Sequence, residues 1–331
     1  MTEFSRSFVV TGASAGVGRA VALRLGRQGA RIGLIGRDEA ALEEVASEIA
    51  AQGGRATVLA CDVADAGAVL EAGRRAAEVH GSIDVWVNSA MATVFATIEE
   101  ITPEEFRRVT EVTYLGFVHG TMAALAAMRG SDRGLIVQIG SALAYRGIPL
   151  QSAYCGAKHA IRGFTSSVRA ELAARQSGIA ITEVHLPAVN TPQFEWARTH
   201  RDHAPRPAGR VYQPEAIADV VAKAIDRPAR EYWLGRQGPM VILGNQLMPG
   251  VMDRLMAGAL EGQAAEDLVA PDREDNLFSP VPGLHRTRGR FGAGAAESVP
   301  SFDARVVRAA AVCLALLLGA AIGALAVSLI R

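Results

Sequence analysis

Between residues 7 and 240, short apolar, β-branched runs alternate with longer stretches of helical periodicity. This alternation constrains the fold more than any other feature. The expected strands are Ser7–Thr11, Arg31–Ile35, Ala56–Ala60, Ile83–Val87, Leu135–Ile139, Ala180–His185 and Tyr232–Leu234. The expected helices between them are Gly18–Gln28, Glu39–Gln52, Gly67–Glu78, Pro103–Met128, Ser152–Arg175 and Pro214–Asp226. Strand followed by helix, repeated in this way, gives a parallel sheet with helices on both faces, because each parallel neighbour needs a crossover. The strands are apolar almost throughout, as strands covered on both sides must be. The fold class is therefore α/β, a doubly wound parallel sheet of about seven strands.

Composition narrows the partners. Half of the 331 residues are apolar, so the chain is long and apolar enough for a sizeable core. The 34 Lys+Arg balance 34 Asp+Glu. A chain without basic surplus is a poor candidate for phosphate-backbone binding, so nucleic acid is not expected as a partner. Cys61, Cys155 and Cys313 lie far apart, which excludes a disulfide framework or zinc spacing and points to a reducing compartment. No metal is expected. Lysine occurs only at Lys158 and Lys223, so a lysine inside a motif carries extra weight.

The C-terminal third reads differently. Pro249–Gly258 is expected to add a short helix, and residues 262–304 are rich in Gly, Pro, Ser, Asp and Arg without sustained periodicity. The expected organisation is a catalytic domain over 1–260, a flexible linker over 261–308 and a transmembrane helix over 309–330. Ala309–Ile330 carries no charge, and as a helix it would span about 33 Å against a hydrocarbon core of roughly 30 Å. Arg305 and Arg308 precede the span and Arg331 alone follows it, which places the large domain on the cytoplasmic side of a single-pass anchor. Gly319 and Gly323 form a GxxxG, a weak signal for packing of two spans.

The first strand runs into Thr11-Gly12-Ala13-Ser14-Ala15-Gly16-Val17-Gly18 and then into a helix. Three glycines here permit a tight turn and close approach of a pyrophosphate, while the helix N-terminus offers free N–H groups and a positive dipole end. Gly12, Ser14, Gly16, Val17 and Gly18 are thus candidate cofactor-binding residues. The second strand ends at Ile35-Gly36-Arg37-Asp38. Gly36 stands where an acid would bind the ribose of NAD, and Arg37 follows it, so a 2′-phosphate and NADP(H) are favoured. The alternative is that Arg37 is a solvated arginine and Asp38 binds a ribose. Tyr154 and Lys158, spaced i and i+4, share a helix face thirteen residues after Ser141.

TGxxxGxG, the upstream Ser141 and Tyr154-Cys155-Gly156-Ala157-Lys158 together resemble the short-chain dehydrogenase/reductase (SDR) family, over about residues 7–235. The resemblance implies a Rossmann fold and assigns further roles. Asp62 with Val63, at the end of the third strand, would meet the adenine; helix capping is the alternative for Asp62. Asn88 opens the family's Asn-Asn-Ala-Gly segment, from which Ser89 and Met91 depart. Pro187, Val189 and Thr191 lie in a segment that closes on the nicotinamide, where Ala188 replaces a glycine. Thr113 stands where the family has an asparagine that maintains a helix kink and a water in a proton relay. Its hydroxyl is expected to bond back to its own helix or to hold a water. The resemblance also implies a homodimer or homotetramer.

The expected chemistry follows. Tyr154 is the general acid/base, Ser141 orients the substrate oxygen, and Lys158 binds the ribose and lowers the phenol's pKa. Gln193–Arg210 forms a substrate lid in which Phe194 and Trp196 line an apolar site or pack the lid itself. His200 and His203 read as surface residues rather than metal ligands. The expected function is NADP(H)-dependent interconversion of an alcohol and a ketone or aldehyde, on a lipophilic small-molecule substrate given the membrane anchor. The alternative is a membrane-tethered NADP-binding sensor or scaffold, supported by the departures at Ser89, Met91, Thr113 and Ala188. Epimerisation or dehydration on the same scaffold is a weaker option.

Overall fold

The computed structural model describes residues 6–270 and 273–330, without the side-chain surroundings of 318, 319 and 321–330. Seven parallel strands form the sheet: β1 (Ser7–Thr11), β2 (Arg31–Gly36), β3 (Arg55–Ala60), β4 (Val85–Asn88), β5 (Arg133–Ser141), β6 (Gly178–Leu186) and β7 (Glu231–Leu234). An eighth, β8 (Ser301–Asp303), adds antiparallel to β7, and the order is β8-β7-β6-β5-β4-β1-β2-β3. The order reverses between β1 and β4, the switch point where such sheets bind ligands at the C-terminal ends of their strands.

Helices α1 (Gly16–Gly26), α2 (Glu39–Ala51), α3 (Ala66–His80), α4 (Pro103–Thr110), α5 (Gly116–Met128), α6 (Ser152–Ala174), α7 (Gln193–Trp196), α8 (Pro214–Asp226), α9 (Gln237–Leu247), α10 (Pro249–Ala257) and α11 (Ala304–Ile330) complete the chain. Local chemistry sets several starts. Asp38 accepts from Ala41 N at the head of α2, Asp65 accepts from Ala68 N at the head of α3, and Thr102 with Glu105 forms a capping box before α4.

The strand period of two divides the core. Val10, Leu34, Val87 and Val137 face α1, α2 and α8, while Val9, Ile35, Trp86 and Ile136 face α3, α5 and α6. Trp86 is fully buried at the sheet centre, its indole N–H donating to Asn88 Oδ1 at 2.9 Å. The expected long helix over Pro103–Met128 is interrupted by a π-turn at Glu111–Leu115.

Two expectations about the C-terminal third are corrected. Residues 261–308 are not a flexible linker: Leu277 is fully buried in the core beside Val63 and Val112, and β8 joins the main sheet. The expected transmembrane anchor is not supported either: no helix among the described residues is both long and apolar enough to cross a membrane. The single-pass membrane localisation, and the membrane as a partner, are corrected with it. The head of α11 is built into the body of the protein. Ala304 is buried and Val307 packs with it against Trp233 and Ile242, while Arg308 pairs with Glu231 at 2.7 Å. The Gly319 and Gly323 pair lies outside the residues whose surroundings are described.

Candidate active site

A cleft of about 490 Å³ opens at the C-terminal ends of the strands, over the switch point. Its floor at one end is the turn between β1 and α1. Gly12 sits at φ +69°, and a Cβ there would lie 2.8 Å from the Ala90 backbone, so only glycine lets the turn pack on the end of β4. No side chain caps α1, whose N-cap is Ala15. Gly16 N donates to Arg286 O at 3.0 Å, and the positive end of the helix dipole points at the cleft, an arrangement that favours an anion. Gly12, Ser14, Gly16, Val17 and Gly18 all line this end.

Arg37, Asp62 and Val63 line the cleft beyond β2 and β3. Asp62 pairs with Arg108 and accepts from Ala64 N at 2.9 Å, while Asp65 takes the helix-capping role. Arg37 is not a solvated arginine. Its guanidinium donates to the carbonyls of Leu277, Phe278 and Asn276 at 3.3, 3.0 and 2.5 Å. Burial, outweighing the attraction of Asp62, lowers its pKa. Asp38 also lines the cleft: its Oδ1 accepts from Ala41 N at 3.0 Å at the head of α2, and its Oδ2 lies 3.1 Å from His285 Nε2.

Ser141 ends β5, and Tyr154 and Lys158 lie one turn apart on α6; all three line the cleft. Ser141 Oγ accepts from Leu143 N at 3.1 Å, which fixes its rotamer. Lys158 is 3% exposed, donates to Ile139 O at 2.8 Å, and holds its ammonium 4.5 Å from the Phe117 ring and 5.6 Å from the Tyr154 ring. Burial pulls the Lys158 pKa down to about 7. Burial pushes the Tyr154 phenol up, and a hydrogen bond with Ser141 opposes this without overcoming it. The expected lowering of the phenol pKa is therefore not a property of the protein alone.

Pro187, Val189 and Thr191 line the opposite wall, with Ala188 and Met91. Two expected residues do not reach the cleft. Asn88 is fully buried and donates to Gln138 Oε1 at 2.9 Å and Thr121 Oγ1 at 3.3 Å, tying β4 to β5 and α5. Thr113, also fully buried, donates to Ala92 O at 2.8 Å and accepts from Ala92 N at 2.9 Å. It neither bonds back to its own helix nor has a hydrogen to spare for a relay; it pins the π-turn to the loop after β4.

Phe194 and Trp196 are both buried and both line the cleft. His200 turns away to Glu105 at 2.9 Å, and His203 to Ala265 O at 2.9 Å. Residues that the sequence reading missed also form walls: Val241 and Met256 from α9 and α10, and Asn276, Pro280, Val281 and His285. The only signals for them were isolated apolar residues in a Gly/Pro-rich stretch.

A glycine turn at the first switch-point strand, facing a serine, a tyrosine and a buried lysine, defines a Rossmann-type oxidoreductase. A family model for short chain dehydrogenase matches residues 6–202. The Bacillus subtilis (strain 168) oxidoreductase YxnA is 32% identical over 280 residues, covering 84% of this chain and 79% of its own. Two solved structures share the fold. A metagenomic short-chain oxidoreductase in complex with NADP is 29% identical, with TM-score 0.59, covering 69% of this chain and 97% of its own. An alcohol dehydrogenase from the archaeon Thermococcus sibiricus, complexed with 5-hydroxy-NADP, is 27% identical, with TM-score 0.58, covering 68% and 92%. The chain belongs to the short-chain dehydrogenase/reductase family and is an oxidoreductase of that family.

Proposed function

We propose that the protein is an NADP(H)-dependent reductase that interconverts a lipophilic ketone or aldehyde and its alcohol. The observation that carries this reading is the convergence of Ser141, Tyr154 and buried Lys158 on one cleft with the glycine turn and the N-terminus of α1. The site suits a dinucleotide. The Val17 amide and the Ser14 hydroxyl would hold the pyrophosphate, with Thr191 across from them; Gly16 N would join them once it leaves Arg286 O. Asp62 and Val63 would meet the adenine, and Lys158 the nicotinamide ribose. The absence of an acid at Gly36, with the Arg37 guanidinium lining the cleft next to it, favours a 2′-phosphate, although that guanidinium also holds the carbonyls of 276–278. The two NADP-class complexes among similar structures point the same way.

When bound, the cofactor supplies or accepts hydride; the chain does the rest. Ser141 holds the carbonyl oxygen by a hydrogen bond. Tyr154, kept neutral by burial, donates its proton to that oxygen. As the phenol becomes phenolate, the protonated form of Lys158, its nitrogen 5.6 Å from the ring centre, stabilises it. Leu143, Ile148, Phe194, Val241 and Met256 line the cleft, so its substrate end takes an apolar group.

Arg37→Glu tests the cofactor assignment. The variant's kcat/KM for NADPH should fall by about tenfold or more relative to that for NADH, the scale of losing a charge-assisted contact. An unchanged ratio would remove Arg37 from the assignment.

A further inference from the structure

The segment Asn276–Phe291, outside the span that the family model matches, crosses the dinucleotide end of the cleft from one wall to the other. On one wall it is anchored by Leu277, which is fully buried, and by the carbonyls that receive Arg37; Arg108 Nε adds a bond to Leu277 O at 3.1 Å. Midway it reaches the phosphate turn, where Arg286 O accepts from Gly16 N at 3.0 Å and Thr287 Oγ1 accepts from Arg19 at 2.9 Å. On the other wall it grips the nicotinamide-side segment and the lid. Gly289 N donates to Asn190 O at 3.1 Å, Phe291 N donates to Asn190 Oδ1 at 2.9 Å, and Arg286 pairs with Glu195.

The segment roofs the cavity and touches its phosphate end through Arg286 O, which a bound pyrophosphate would have to displace from Gly16 N. Asn276, Pro280, Val281 and His285 line the same 490 Å³ as Gly12 and Tyr154. His285 is the informative residue. Its side chain is 10% exposed, and neither ring nitrogen has a hydrogen-bond partner among the described residues. Nε2 lies 3.1 Å from Asp38 Oδ2, off the line of a hydrogen bond. Asp38 is thus its charged neighbour, but a buried imidazole that makes no hydrogen bond is costly unless a ligand supplies one. It stands beside Asp38 at the end of β2, where the adenosine ribose would lie.

We propose that Asn276–Phe291 is a strap forming the outer wall of the dinucleotide site, with His285 contacting the adenosine ribose or its 2′-phosphate, and that the cofactor leaves only after the strap parts from the cleft. This rests on the cofactor reading above. Gly289 is the place to pry the strap loose: a Cβ there would lie 2.3 Å from Thr191 O, so Gly289→Ala must displace it.

The test uses the full-length chain, NADPH as probe, and two readouts. One is NADPH release, chased by excess NADP⁺ in stopped flow. The other is tryptic cutting after Arg286, Arg288 and Arg290, which are 45%, 48% and 36% exposed in side chain. The strap predicts that NADPH slows the cutting by about tenfold, that Gly289→Ala speeds both cutting and NADPH release by about tenfold, and that His285→Ala weakens NADPH binding. Release unchanged in a Gly289→Ala protein that trypsin shows to be open would overturn it, as would cutting that NADPH leaves unaltered or accelerates. If the wild-type chain binds no NADPH, the cofactor reading falls and the strap with it; binding with unaltered cutting and release overturns the strap alone.

Discussion

At the scale of single residues the site is governed by burial. Lys158 has an ordinary pKa of 10.5 and is pulled to about 7. Between those values the unfolded chain holds a proton that the folded chain has released. Stability therefore rises with pH across that window, and the penalty is fully present below about pH 7. Lys158→Met removes the penalty, so its gain in Tm over wild type should be larger at about pH 6 than at about pH 10; thermal melts at the two values check this. Thr113 makes a different prediction. Its hydroxyl satisfies both backbone groups of Ala92, so Thr113→Val should cost about 1–3 kcal/mol in urea unfolding, through buried groups left unpaired. A neutral result would mean that the π-turn does not depend on that bridge. The departure from the family asparagine was legible in the sequence. Its consequence was not, because the partner, Ala92, lies on a loop that only the fold brings near. Asn88 teaches the same lesson: the motif match was visible, but its partners Gln138 and Thr121 come from β5 and α5.

Among the elements, the seven parallel strands were readable because they are apolar almost throughout; the structure keeps β1, lengthens β2, β3 and β7 by one residue, shifts β4 to Val85–Asn88, and lengthens β5 and β6 by four and three. β8 was not, since Ser301-Phe302-Asp303 is three residues long and two of them are polar, as an edge strand can be. α9 escaped because Gln237–Leu247 contains two glycines and a proline, which read as loop. The strap escaped for a related reason: backbone carbonyls meeting arginines hold it, and these leave no periodicity. Its anchor supplies a direct test against the linker reading. Leu277→Ala should cost about 2–5 kcal/mol, the range for emptying a buried leucine site, whereas a leucine in a solvated linker would cost almost nothing. Chemical denaturation distinguishes the two.

Across the whole molecule, the C-terminal third completes the domain rather than hanging from it. Three separate contacts make the point: Leu277 in the core, β8 on the sheet edge, and Arg308 on Glu231. A chain ending at residue 260 should therefore melt below the full-length protein and bind NADPH more weakly, as thermal melts and fluorescence titration would show. The apolar composition of Ala309–Ile330 was plain in the sequence, and it suggested an anchor that the structure does not support. What the sequence pattern missed was the docking of the preceding turn, where Ala304 and Val307 pack against Trp233, a contact between segments far apart in the chain.

The central claim is that Tyr154 gives its proton to a lipophilic carbonyl reduced by NADPH. The most direct measurement is NADPH oxidation by the full-length protein, with apolar and polar ketones and aldehydes, beside Tyr154→Phe. The account predicts turnover that favours the apolar carbonyls and falls by about 10²–10⁴-fold in the variant, with NADPH binding retained in both proteins. Tight NADPH binding without turnover on any carbonyl, or turnover that Tyr154→Phe leaves intact, would contradict it.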